Sequence, residues 1–383
     1  MRSTVIDRRA FLTGCAAALA AAAPNVPRAR AEDALAGLAG SDDPLFVAAR
    51  RGSDGSYALA VTSPEGIDVL TIPLPGRGHD VALCPATGRC LVFARRPGTF
   101  AVLFDPLGRA GPVTFQAEAG RHFYGHGAFS PDGRLVFATE NDFAAARGII
   151  GVYDVSGAFP QRLGEFASGG VGPHDILPMP DGKTLVVANG GIETHPERGR
   201  DKLNLATMRP NVALIDREDG ALLARFELDA ELHQLSLRHM TVSAGGTVWI
   251  GAQHQGAATE TPALLAALDP EKGLRLHDVA PRLRGKLENY VGSVALNREE
   301  SVVAASCPRA GRMLYFATAD GRFLGSQTRA DVCGVAPLDD AGFLLSDGEG
   351  GLLQSDAPDT APLLLASRAG ISWDNHMIAI SPR

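Results

Sequence analysis

Five of the chain's ten histidines, His79, His126, His174, His239 and His376, occupy the same place in a recurring pattern, each at the mouth of a short apolar run. Aligning those runs puts Val291 and Cys333 in the two remaining positions, at successive spacings of 47, 48, 65, 52, 42 and 43 residues. Imidazoles brought together in such numbers repel one another when protonated, so their pKa values fall and neutral nitrogens become available. Neutral imidazole is what iron, copper or zinc recruits, and a thiol adds a soft donor. The column therefore predicts a transition-metal site, iron or copper ahead of zinc. Its ligands would be His79, His126, His174, His239 and His376, with Cys333. The competing structural reading is that in "GHD", "GHG" and "PHD" each imidazole bonds to an aspartate within its own blade.

A second set of polar residues follows the first at 14 to 16 residues: Arg95, Glu140, Asn189, Gln253-His254, Ser306-Cys307 and Asp347, with Arg50 near the start. As a ring they would line one funnel and orient a small ligand or support metal-bound histidines. The ligand-binding candidates are Arg95, Glu140, Asn189 and His254. His195 joins them from a polar excess segment, "GGIETHPERGRDKLNLATMRP" (190–210), which has the length of a lid. Glu140 beside a histidine could also act as an acid–base pair, which opens a lactonase-like hydrolase as an alternative. No Gly-x-Ser-x-Gly elbow or Ser-His-Asp order supports serine chemistry.

The elements that must position these residues are hairpins. "GHDVALCPATGRCLVFARR", "GHGAFSPDGRLVFATEND", "PHDILPMPDGKTLVVANGG", "RHMTVSAGGTVWIGAQHQ", "YVGSVALNREESVVAASCP" and "DVCGVAPLDDAGFLLSDGEG" each join two apolar strands through a turn rich in Pro, Asp and Gly. Most are followed by further strands ending in aspartate, as in "GIIGVYDV" and "NVALIDRE". This is the grammar of four-stranded blades. A seventh blade comes from the two ends: "DNHMIAIS" (374–381) is a first strand without a partner, and "DPLFVAARRG" (43–52) a second strand without a predecessor. The expected fold is all-β, a seven-bladed β-propeller of four-stranded blades, its ring closed by pairing of the N- and C-terminal strands. The first strand of each blade is innermost, so the histidine column would face the central channel.

The first 31 residues read differently. Arg8-Arg9, then Ala10-Phe11-Leu12, an alanine-rich segment and Ala29-Arg30-Ala31 form a twin-arginine export signal with cleavage before Glu32. The expected domains are thus a signal peptide (1–31) and a single propeller (32–383), located in the periplasm. The formal charge is −7, and the leader takes five arginines away with one aspartate. No basic stripe remains for nucleic acid, and no apolar run is long enough for a membrane span. Cys84 and Cys90 flank a hairpin turn where a disulfide is sterically allowed.

The leader, "GHGAFSPDG", "GPHDI", "NGGIETHPERGR", "LRHMTV" and "WDNHM" together resemble a family of exported bacterial propellers catalogued as domain of unknown function fifteen-thirteen. More distantly the chain is similar to seven-bladed lactonase-like and quinoprotein-like propellers. Members of the family are often encoded beside imelysin-like and dihaem-peroxidase-like proteins. The resemblance therefore implies a periplasmic role in iron or copper handling, with iron-uptake proteins as partners, and it supplies no catalytic residues. Three functions follow as expectations: a metal-binding accessory of iron acquisition, a lactonase-like hydrolase using the same funnel, and a non-catalytic interaction scaffold. The chain is expected to be a monomer, with a metal or small-molecule ligand in its central funnel.

Overall fold

Strands such as Cys90–Ala94, Phe100–Phe104 and Phe343–Asp347 are buried at every residue. A strand achieves this only when other sheets cover both of its faces. Val113–Gln116 and Gln161–Ala167 instead alternate between half-buried and exposed residues, as edge strands do. Both patterns recur through the chain because seven sheets stand face to face in a ring, each with buried inner strands and a solvated outer one.

The computed structural model describes residues 44–381. It contains seven four-stranded antiparallel sheets. Blades 2 to 7 run consecutively over 78–116, 121–167, 173–227, 235–277, 293–328 and 332–367. Blade 1 takes three strands from the start of the ring, Leu45–Gly52, Tyr57–Thr62 and Asp68–Leu74, and its innermost strand, Ile371–Ile380, from the end. The closing register runs from Leu45 opposite Ile380 to Gly52 opposite Ile371, the pairing expected from the two half-blades. Asp68 braces this seam, accepting from Arg50 in its own blade at 2.7 and 2.8 Å and from Arg368 after blade 7. Closure gives blade 1 its fourth strand, so main-chain pairing joins the start of the ring to its end.

The hairpin turns follow their sequences. In Pro180-Asp181-Gly182-Lys183, Asp181 Oδ1 accepts from the amides of Lys183 and Thr184, and Gly182 takes φ +67°. Between blades the filling is aromatic and aliphatic: Phe93 meets Phe123 at 5.5 Å between ring centroids, and Phe115 meets Tyr153 at 5.1 Å. Cys84 and Cys90 are both buried free thiols, so the disulfide their spacing allows is not formed. No helix among the described residues is long and apolar enough to cross a membrane. The expected signal peptide, residues 1–31, lies outside the described residues.

Candidate metal centre

The innermost strands of adjacent blades contact one another all the way round the ring. Each histidine of the column falls where its strand departs from regular pairing. The register slips between Gly78 and Val81 around His79, between Phe123 and Gly127 around His126, and between Pro173 and Asp175 at His174. It slips again between Leu237 and Met240 around His239, and between Trp373 and Met377 around His376. A bulge breaks the strict alternation of side chains and re-aims a residue that would otherwise face the neighbouring blade. Gly125, at φ +109°, serves the same end, because a Cβ there would stand 2.5 Å from His79 Cδ2.

The five imidazoles form a closed loop. Ring centroids are 5.0 Å apart for His79–His126, 5.0 Å for His126–His174, 4.6 Å for His174–His239, 4.5 Å for His239–His376 and 4.6 Å for His376–His79. In two triads, His79-His126-His174 and His126-His239-His376, one ligand atom from each residue lies within 4.8 Å of the others. Two nitrogens bound to one ion at about 2.1 Å can be at most about 4.2 Å apart, so small side-chain adjustments suffice.

The aspartates adjoining the histidines orient the rings, and they do so across blades. His126 Nδ1, in blade 3, donates to Asp80 of blade 2 at 3.1 Å and lies 3.3 Å from Asp175 of blade 4. His79 Nδ1 donates to Asp374 of blade 1 at 3.3 Å. A ring held through Nδ1 by a carboxylate presents Nε2 to an ion. The own-blade bonding anticipated for "GHD" and "PHD" is thus replaced by bonding between neighbours. His126 Nε2, His174 Nε2, His239 Nδ1 and His376 Nε2 are all buried without any hydrogen-bond partner.

Burial and the neighbouring rings hold His79, His174 and His239 well below the usual imidazole value, and burial brings His376 to about 4. Burial opposes charge on His126 too, but Asp175 and Asp80 outweigh it and raise this ring to about 10. Four largely neutral imidazoles thus surround a fifth, His126, which departs from the expected fall because its two carboxylates favour the charged ring, so an ion bound at its Nε2 would have to displace a proton.

The cluster lies between two cavities. One, of about 440 Å³, has His79, His174 and His239 among its lining residues. The other, of about 690 Å³, is more apolar and touches His126, His239 and His376 beside Met179, Met240 and Met377. Of the ligand-binding candidates, Arg95, His195 and His254 line the first cavity. The 190–210 segment contributes Thr194, His195, Arg200 and Lys202 to its wall. Asn204, donating to Gly191 O, folds the segment on itself, and Asn141 of blade 3, donating to Thr194 O, anchors it.

Three expected site residues lie elsewhere. Glu140 is fully buried and turns outward along its own blade, accepting from Tyr153 Oη at 2.5 Å and Arg162 at 3.1 Å. Burial raises its pKa, yet with both oxygens engaged away from the funnel it has no place in an acid–base pair there. Asn189 also turns outward, donating to Ser168 O and Asn211 Oδ1. Cys333 shares the column's register and a bulge of its own, but its Sγ lies 3.6 Å from Ser346 O and Trp373 O. Burial pushes that thiol to about 12, and it belongs to none of the groups able to hold an ion.

Within the second polar set, Arg50 is committed to Asp68 and Asp347 to Arg329. Ser306 donates to Cys333 O, while Gln253 reaches the cavity. The residues that sequence reasoning missed are Asp80, Asp175 and Asp374 as partners of neighbouring blades, and the cavity cations other than Arg95, led by Arg238. The adjacency of Asp80 and Asp175 to the column histidines was the available signal. Arg238 likewise adjoins His239.

The fold and this axis define a seven-bladed β-propeller with a histidine-lined centre. The family model described as a protein of unknown function, DUF1513, matches residues 72–380, and the chain belongs to that family. No curated protein matches the chain in sequence. Among solved structures, the chain is similar to hydrazine synthase of Kuenenia stuttgartiensis at 12% identity and a TM-score of 0.56, over 78% of this chain and 91% of that one. A functionally unknown protein from Desulfotomaculum acetoxidans aligns at 16% identity and a TM-score of 0.48, over 73% and 84%. At these identities the first likeness concerns the fold alone.

Proposed function

We propose that this protein is a periplasmic metal-binding propeller that holds one iron or copper ion on its axis. The observation that carries the proposal is the set of four buried, unpartnered ring nitrogens within the loop of five imidazoles. Such groups are costly to leave unsatisfied, and a metal ion is the partner their chemistry fits. His126 and His79, each held by a carboxylate through Nδ1, are the best-oriented ligands; His239 and His376 complete a triad with His126. Periplasmic location rests on the leader, and a role as an accessory of iron acquisition rests on the family resemblance. The hydrolase reading loses its acid–base pair with the placement of Glu140, and nothing else in the site favours it.

Metal analysis of the exported protein tests the proposal. Stoichiometric iron or copper is expected, restored on reconstitution and abolished by His126→Ala combined with His239→Ala. Trace metal that does not rise on reconstitution, or loading equal in the double variant, overturns it.

A further inference from the structure

Arg95, Arg96, Arg200, Lys202, Arg238 and Arg309 line the cavity on one side of the histidine loop, and among the described residues no carboxylate lines it. This runs against the composition of the chain, which has 43 acidic residues against 36 Lys and Arg. The six cations come from different parts of the ring. Arg95 and Arg96 follow the second strand of blade 2, Arg200 and Lys202 lie in the 190–210 segment, Arg238 precedes His239, and Arg309 follows the second strand of blade 6.

Among the described residues, none of the six forms an ion pair. The side-chain contacts of Arg238 are Ser236 Oγ at 3.2 Å and His174 Nδ1 at 3.5 Å, and Arg309 stacks over Tyr290 at 4.3 Å. Asp374, whose charge Arg95 feels, is already engaged by Arg77 at 2.5 Å and His79 at 3.3 Å. Burial and mutual repulsion lower Arg95, Arg96 and Lys202. Like charges gathered in a concave site destabilise the ligand-free protein unless an anion offsets them.

We propose that this cavity binds a small oxyanion with two or more negative charges, a polycarboxylate or a phosphate. Arg95, Arg96 and Arg238 would grip it on the inner side, with Arg200, Lys202 and Arg309 nearer the mouth. The planar guanidinium matches both kinds of anion through paired hydrogen bonds. Tyr124 and Tyr290 add hydroxyl donors to the wall, and a cavity of about 440 Å³ suits a small molecule. The proposal does not rest on the metal.

Calorimetry and thermal denaturation of the mature chain, both freed of metal and loaded, test it at constant ionic strength with citrate, inorganic phosphate and acetate. Citrate or phosphate is expected to bind saturably and raise Tm in the metal-free protein, with acetate indistinguishable from chloride. Response to citrate alone assigns a polycarboxylate, and response to phosphate alone a phosphate. Arg96→Gln combined with Lys202→Gln is expected to weaken binding by about tenfold or more, with the ligand-free Tm unchanged or raised. Arg309→Gln provides a second variant. Absence of binding by both polyanions, equal binding of acetate, or unchanged affinity in both variants overturns the proposal. Because the metal-free protein carries the test, failure to bind metal would leave its result readable.

Discussion

His126 Nδ1 lies 3.1 Å from an oxygen of Asp80 and 3.3 Å from one of Asp175, so a single imidazole bridges carboxylates from the blades on either side of its own. Removing the Asp80 charge should loosen the ring and lower its basicity without emptying the core, because Asp80 is only half-buried. Asp80→Asn is expected to weaken metal affinity about 10–100-fold, the usual cost of losing an orienting carboxylate. Competition titration against a chelator of known affinity measures it. Unchanged affinity would show that Asp80 does not orient a ligand.

Gly125→Ala tests the packing that lets His79 approach the loop. The new methyl would meet the His79 ring and also impose an unfavourable positive φ on alanine. A loss of about 1–3 kcal/mol in stability is expected, together with weaker metal loading. Denaturant unfolding and metal content, measured on the same sample, report both effects.

Glu140 separates a structural from a catalytic role. Glu140→Ala leaves Tyr153 without its buried partner and Arg162 paired with Glu118 and Glu165 only, and about 1–3 kcal/mol of destabilisation is expected. Metal stoichiometry of the folded fraction should remain that of the wild type. Loss of metal from protein that still shows native circular dichroism would contradict this placement.

The seam of the ring should be acid-sensitive. Burial alone would raise the Asp68 carboxyl, but hydrogen bonds and charge from Arg50 and Arg368 win, holding it below its ordinary value of 3.8. A carboxyl depressed in the folded state contributes its full stability above the unfolded value and loses it as pH falls through the folded one. Asp68→Asn is therefore expected to lower Tm at pH 7, with the gap to wild type closing below about pH 4. A gap that persists at pH 2 would assign the loss to packing.

Much of this architecture is legible in the sequence because a propeller repeats. Hairpins at blade spacing exposed the column from His79 to His376, and the unpaired apolar runs at both ends identified the closing blade. What the hairpin repeat cannot carry is the relation between blades. Asp175 follows His174 in the chain yet serves His126 and the amide of Met240. Glu140, Asn189 and Cys333 fell in register, but register fixes height along the axis and leaves open which way a side chain turns. Apart from Arg95, the cavity cations escaped notice because turns and an insertion, which follow no period, supply most of them.

The closing strand Ile371–Ile380 carries His376, one of the five imidazoles. The fifth member of the set therefore sits on the strand that pairs with Leu45–Gly52 across the closing seam, while the other four lie on strands between. Completion of the ring and completion of the site are one event. Metal capture would thus report that the closing strand has docked in its blade.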